Sequence, residues 1–391
     1  MRILQVIPSL DEATGGPARV AVGLASGLVA VGHSATVASL DWGVRIPPRP
    51  DVEIILFPPS APRRFAWSRA FGSWAKRHVR DFDVAIIHSP YAGTTVAASR
   101  ACARSGVPFL FRPHGAWNPI IYDQHRLRNW LIRLAYQDRI GRRASAVIWT
   151  APAERDQSRV QTKGAVDLVL PIQGVDTEEL EQDKKPGALQ EAFPELEGRP
   201  YALFLGRLDS TKGIDDLLEA FAIINGLFPD IALVLAGPDY GMATQLQHVV
   251  KERNLSSCVV FTGMLKGAER LDALQGATVF VLPSHSESFG IAALEALALG
   301  VPTVLSQRAG LASLIRSERV AFIVPDSVQG LVDGLIEVLG DLAAARARAA
   351  RGASLARERF SWPGIAAGVV ERIENEGVFR VGQSFGTDSG V

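Results

Sequence analysis

The stretch ATVFVLPSHSESFGIAALEALALGVPTVLS, residues 277–306, decides the fold. It opens with a short continuous apolar run, ATVFVLPS (277–284), of the kind expected of a strand buried on both faces. Ser286 and Ser288 are N-cap types, FGIAALEALALG has helical composition, and Gly300 followed by Pro302 closes it. VPTVLS (301–306) then reads as the next buried strand, which predicts a strand, a crossover helix and a parallel strand. Two carboxylates border the helix: Glu287 in the loop at its mouth and Glu295 inside it. A carboxylate among Ala and Leu is costly when buried without a partner. Either both are solvated, with Glu287 favoured by the helix dipole, or they serve a ligand.

The same rhythm runs along the whole chain. RILQVIPSL (2–10), SATVASL (34–40), VEIILF (52–57), DVAIIHS (83–89), VPFLFRP (107–113), SAVIWTA (145–151) and VDLVLPI (166–172) predict successive strands between helical patterns. Charge and Pro interrupt at 178–200. YALFLGRL (201–208), IALVLAGP (231–238), CVVFTGM (258–264), ATVFVLPS, VPTVLS and VAFIVP (320–325) then resume it. The expected fold is α/β, with two doubly wound domains facing a central cleft. Residues 1–177 form the first, 178–200 a linker and 201–360 the second; 361–378 form a helix packing back toward the first domain, and 379–391 a tail.

At 391 residues, 47% hydrophobic and 21% charged, the chain has ample core for two domains. Cys102 and Cys258 match no metal or redox spacing, which fits a reducing compartment. MRILQVIPSLDEATGG reads as a first strand rather than a signal peptide, and no apolar run is long enough to span a bilayer. The expected location is cytoplasmic. The formal net charge of zero hides an asymmetry: residues 1–180 carry seven more basic than acidic side chains, and 181–391 the reverse. Basic and aromatic residues mix in 61–80 and 122–143, as in helices that lie on an anionic membrane. A peripheral site on the inner face of the cytoplasmic membrane follows as an expectation, with ordinary core-packed helices as the alternative. Nucleic acid is not an expected partner, because no reading motif accompanies the charge.

Ligands of doubly wound sheets bind beyond the carboxyl ends of the strands, and the chemistry-bearing residues fall there. GGPARV (15–20) opens a helix with Gly15 and Gly16, which suits an anion or a tight turn. It is not a GxGxxG fingerprint, so a nicotinamide cofactor is not expected. FLGRLDSTKGIDDLLEAF (204–221) places Arg207 and Lys212 in one loop, where two cations could stabilise a leaving diphosphate. FLFRPHGAWNP (109–119) sets His114 in a rigid turn beside Arg112.

Together these segments resemble family 4 of the retaining, nucleotide-sugar-dependent glycosyltransferases, which have the two-domain GT-B fold. The GG loop, PHG (113–115), GRLDSTKG (206–213), LAGP (235–238), FTG (261–263) and ESFGIAALE (287–295) occur in the family's order, the last with its paired glutamates. The resemblance implies that Glu295 holds the ribose hydroxyls of the donor nucleotide and Glu287 those of its sugar. It implies diphosphate contacts from Arg207, Lys212 and the amides around Phe289, Gly290 and Ile291, with Gly16 near the phosphates. His114 would lie near the reacting carbon. His114, Arg207, Lys212 and Glu287 are thus the implied catalytic residues, with no metal and no cofactor. The donor partner would be a nucleotide-diphosphate sugar, and the acceptor a glycan or a lipid-linked glycan of cell-surface polysaccharide synthesis. One departure is PIQGVD (171–176), where many relatives have Pro-Asn-Gly-Val-Asp; this chain has Gln173 and one extra residue there. The rival readings are a GT-B epimerase or phosphorylase, whose extra acid–base groups or cofactor lysine are not seen, and a non-catalytic nucleotide-sugar-binding module.

Overall fold

The computed structural model describes residues 1–11, 16–43, 49–117, 138–156, 158, 165–176, 180 and 187–375. The chain divides into two compact units, Met1–Gly174 with Phe360–Val391, and Val175–Arg359.

Unit 1 is built on a seven-stranded sheet in the order β3-β2-β1-β4-β5-β6-β7. The strands are β1 Arg2–Ser9, β2 Ser34–Leu40, β3 Glu53–Phe57, β4 Val84–His88, β5 Phe109–Arg112, β6 Ala146–Trp149 and β7 Val166–Val169. Every pairing is parallel. Each of the seven predicted runs supplies a strand, trimmed where polar or Pro residues flank it. One face of the sheet buries Leu4, Val6, Ile87, Phe109, Phe111 and Trp149 in an apolar cluster. The opposite face carries Gln5, His88 and Arg112, all buried. Gln5 pairs in register with Ile86, and His88 with Arg112, so alternation sends all three side chains the same way.

The helix Gly16–Ala30 packs against the last described helix, Trp362–Asn375. Trp362 seats where a side chain on the first helix would collide. A Cβ at Gly23 would come within 2.1 Å of its ring, and one at Gly27 within 2.2 Å of its carbonyl oxygen. These glycines of the first helix therefore receive a tryptophan.

Unit 2 carries a parallel six-stranded sheet, β10-β9-β8-β11-β12-β13. Its strands are β8 Tyr201–Leu205, β9 Ala232–Ala236, β10 Val259–Gly263, β11 Val279–Leu282, β12 Thr303–Ser306 and β13 Phe322–Val324. The order places β8 and β11 side by side, with successive strands adding outward on each flank. That junction is the switch point, where the connections leave in opposite directions and a crevice opens. The corresponding junction of unit 1 lies between β1 and β4.

The segment read as a linker is described at residue 180 and from residue 187 onward. There the short helix Ala188–Ala192 is tied to unit 2, because the Gly187 and Leu189 amides donate to the Asp272 carboxylate at 3.0 and 2.8 Å.

Candidate active site

The sequence-predicted residues of unit 2 converge on the β8/β11 switch point. The loop after β8 brings Lys212 to the loop after β11, where its Nζ donates to Glu287 Oε2 at 2.6 Å. Lys212 is 9% exposed, so this is a nearly buried ion pair. The backbone closes the same gap, with Ser286 N donating to Thr211 O at 3.2 Å. Asp209 shapes the first loop by accepting from the Thr211 amide and hydroxyl at 2.9 and 2.5 Å. Arg207 is exposed, 3.3 Å from Asp209 and stacked over the Tyr240 ring at 5.1 Å. Two cations thus stand at one end of the sheet, one held by a carboxylate and one open to solvent.

Phe289, Gly290 and Ile291 form the mouth of the helix Ile291–Ala298. Ser286 and Ser288 do not cap it. Gly290 occupies the N-cap position at φ 103°, and no side chain caps the helix. A Cβ at Gly290 would meet Leu282 at 2.8 Å, so glycine suits both the backbone angle and the space. A helix start without a side-chain cap presents amide donors suited to an anion. Farther along, Glu295 is buried against Arg270 of the helix Gly267–Gln275 in a close ion pair. The second glutamate therefore meets a protein cation 25 positions away that the sequence reading did not single out.

His285 sits beside this mouth with its Nδ1 2.8 Å from Asp326, and Arg308 lies 3.4 Å from the same carboxylate. Asp215, Asp216 and His285 bring possible ligand atoms within 4.8 Å of one another, a grouping the sequence reading did not foresee. Asp216 is raised above the ordinary carboxylate range by burial, with His285 acting the other way.

In unit 1, His114 follows β5 at a left-handed φ of 52°, a conformation uncommon outside glycine. The turn is clamped by Glu154, whose Oε1 accepts from the Gly115 amide and Oε2 from the Thr150 amide, both at 2.7 Å. His114 Nε2 lies 2.8 Å from His88 Nδ1, and His88 Nε2 lies 3.0 Å from Gln5 Oε1. Burial, then the charge of Arg112, pushes His88 down to about 3. The same two influences, with His88 itself, hold His114 well below the ordinary imidazole range. Arg112 is pushed down to about 10 by burial, opposed by the Glu154 carboxylate. One of its nitrogens donates to Thr150 Oγ1 at 3.3 Å, while Nε and Nη1 find no partner among the described residues. Gln173, the departure noted in PIQGVD, is buried with its Nε2 3.5 Å from the same hydroxyl.

Gly16 begins the helix after β1, and Gly15 lies outside the described residues. The stretch 122–143 is largely outside them too. In 61–80, Phe71 is buried and Trp74 packs against Phe57, Phe71 and Phe82. Arg63, Arg64, Phe65, Arg69, Lys76 and Arg77 remain exposed. Sequence reasoning missed Gln5, His88, Arg270 and Glu154. Gln5 had a visible signal, as a polar residue inside an apolar strand; Arg270 had none.

Comparison with known proteins accounts for both units. Residues 14–169 match the model described as Glycosyltransferase Family 4, and 188–354 the model described as Glycosyl transferases group 1. Mannosylfructose-phosphate synthase of Agrobacterium fabrum is 28% identical over 325 residues, covering 77% of this chain and 71% of the relative. Sucrose-phosphate synthase of Thermosynechococcus elongatus superposes with a TM-score of 0.73 at 22% identity, covering 96% and 99% of the two chains. Alr3699/HepE of Anabaena, solved in complex with UDP and glucose, gives 0.72 at 18% identity, with 96% and 99% covered. No described helix is long and apolar enough to cross a membrane. With two parallel-sheet, Rossmann-like units and both halves matched, the chain belongs to the family-4 glycosyltransferases of the GT-B fold.

Proposed function

We propose that the chain moves a hexose from a nucleoside-diphosphate sugar to an acceptor hydroxyl with retention at the sugar carbon. The observation that carries this reading is the Lys212–Glu287 pair across the β8/β11 switch point. In the reaction, the bond from the anomeric carbon to the phosphate oxygen breaks and the acceptor oxygen bonds to that carbon on the same face. The acceptor proton passes to the departing phosphate oxygen, so the protein supplies no nucleophile. What it must supply is charge stabilisation for a diphosphate and a cationic sugar together. Lys212, Arg207 and the amides at Phe289, Gly290 and Ile291 take the diphosphate. Glu287 takes the sugar hydroxyls and Glu295 the ribose; His114 is assigned by the family resemblance alone, as a contact to a sugar hydroxyl.

UDP and glucose in the Anabaena structure make a UDP-hexose the first donor to try. For the acceptor, the reading extends to a lipid-linked glycan of cell-surface polysaccharide synthesis at an anionic membrane. The exposed Arg63, Arg64, Phe65, Arg69, Lys76 and Arg77 support it. The test is a thermal-shift panel of nucleotide sugars, in which a bound donor raises apparent stability, followed by NMR of the anomeric product. Inversion at the transferred sugar would reject the retaining mechanism, and no shift with any donor would reject the donor site.

A further inference from the structure

The row Gln5, His88, His114 runs from the middle of β1 through the end of β4 to the turn after β5, and its donors and acceptors can be assigned in only one direction. Gln5 Nε2 lies 2.9 Å from the carbonyl oxygen of Ala21. A carbonyl only accepts, so the amide nitrogen faces Ala21 and Oε1 faces His88. Oε1 also only accepts, so His88 Nε2 carries a proton. His88 is completely buried, and the neighbouring charge is the Arg112 guanidinium, so the ring is neutral and its Nδ1 holds a lone pair. At 2.8 Å that lone pair accepts from His114 Nε2. His114 is half-buried, and desolvation together with the adjacent Arg112 guanidinium and His88 ring holds it well below the ordinary imidazole range, so it too is neutral, with one proton to place. Its Nδ1 is then an acceptor, and among the described residues it has no partner.

We propose that Gln5 and His88 are positioning residues that hold His114 in its Nε2–H tautomer, keeping the Nδ1 lone pair for a donor sugar hydroxyl. The proposal rests on the reading of His114 as a sugar contact. It also accounts for two otherwise unexplained buried polar side chains. Gln5 on a buried strand face costs stability unless its polar atoms are paired, and here its nitrogen and its oxygen each make a hydrogen bond. It also accounts for the strained turn at His114, which brings the ring against His88.

The test is long-range proton–nitrogen NMR of the full chain labelled with ¹⁵N-histidine at neutral pH, with signals assigned by His88→Asn and His114→Asn. The expected result is an unprotonated Nδ1 and a protonated Nε2 on His114. A protonated Nδ1, or an imidazolium, overturns the proposal. These spectra need no substrate, so they decide the tautomer whether or not any donor is turned over; absence of transfer by the wild type would instead count against the proposed function. In turnover, His88→Leu removes the acceptor and should lower kcat about tenfold, the scale of one hydrogen bond, with little change in donor KM. His88→Asn, which offers an amide oxygen near the position of Nδ1, should recover most of it. Gln5→Leu is the second variant, expected to populate the other His114 tautomer. Wild-type spectra and turnover in both leucine variants would also overturn the assignment.

Discussion

Lys212 Nζ lies 2.6 Å from Glu287 Oε2, joining the loop that leaves β8 to the loop that leaves β11. The pair is nearly buried, so each partner depends on the other: removing one leaves an uncompensated charge. Arg207 is exposed and its contacts are looser. Arg207→Ala should therefore lower turnover with folding stability intact, by about 2–4 kcal/mol in the barrier if it acts as one anion-stabilising donor. Lys212→Ala should lower turnover similarly and also lower the denaturation midpoint. Steady-state kinetics beside urea unfolding separate the two, and near wild-type turnover in both variants would rule out their diphosphate role.

The strands were legible because a parallel sheet covered on both faces requires unbroken apolar runs, and VAIIH or TVLS has few other uses. The site was legible where one loop carries several chemical groups, as with Arg207 and Lys212 or Glu287 and Glu295. Partnerships across the fold were not. Arg270 meets Glu295, and Gln5 meets His88, only because crossover connections bring distant strands and helices together. Trp362 is likewise silent in sequence, because its seat is the absence of side chains at Gly23 and Gly27. The Ser286 and Ser288 reading failed because Gly290, at positive φ, starts the helix after them.

Glu295 is a harder residue to test than Glu287, because its carboxylate is buried against Arg270. Glu295→Ala should cost about 3–5 kcal/mol of stability by stranding that cation, which would confound any binding measurement. Glu295→Gln keeps the shape and is the informative variant. Titration with free nucleoside diphosphate should show weaker binding than for wild type or Glu287→Gln. Equal affinity in all three proteins would remove Glu295 from the ribose.

The buried His88 imidazole makes stability depend on pH. His88 titrates near 3 in the folded chain and near 6.5 when unfolded, with His114 displaced in the same direction. The unfolded chain binds more protons below about 6.5, so stability is full above that value and falls as the pH drops toward 3. His88 contributes up to about 1.4 kcal/mol per pH unit in that window. His88→Asn should flatten the dependence in urea unfolding between about pH 4 and pH 7. A slope unchanged from wild type would mean that His88 is not buried neutral.

Asp215, Asp216 and His285 come close enough to raise the question of a metal. The His285 Nδ1 contact to Asp326 at 2.8 Å leaves only Nε2 to face such an ion, whereas Lys212 and Arg207 already supply positive charge for a diphosphate. Turnover should survive dialysis against EDTA. Loss of activity restored by a divalent cation, and abolished in Asp216→Asn, would assign the grouping a metal role instead.

Membrane attachment depends on which side chains of 61–80 face outward. Ser68 caps the helix Arg69–His78, accepting from the Phe71 amide at 3.1 Å, and Phe71 and Trp74 turn toward the core. The exposed aromatic ring of this stretch is Phe65, 49% exposed with Arg64 stacked 4.8 Å above it, while Trp67 is half-buried. The cations Arg63, Arg64, Arg69, Lys76 and Arg77 are all exposed. An attachment made mostly of exposed charge and one ring is electrostatic, worth about 1 kcal/mol per basic residue near an anionic surface and screened within a Debye length. Co-sedimentation with phosphatidylserine vesicles should therefore be strong at low salt and weak at high salt. Replacing the five cations with Gln should abolish it, while Phe65→Ala should reduce it modestly. Absence of binding at low salt would end the membrane reading and leave the glycosyltransferase assignment standing, since nothing in the Lys212–Glu287 site depends on where the acceptor is presented.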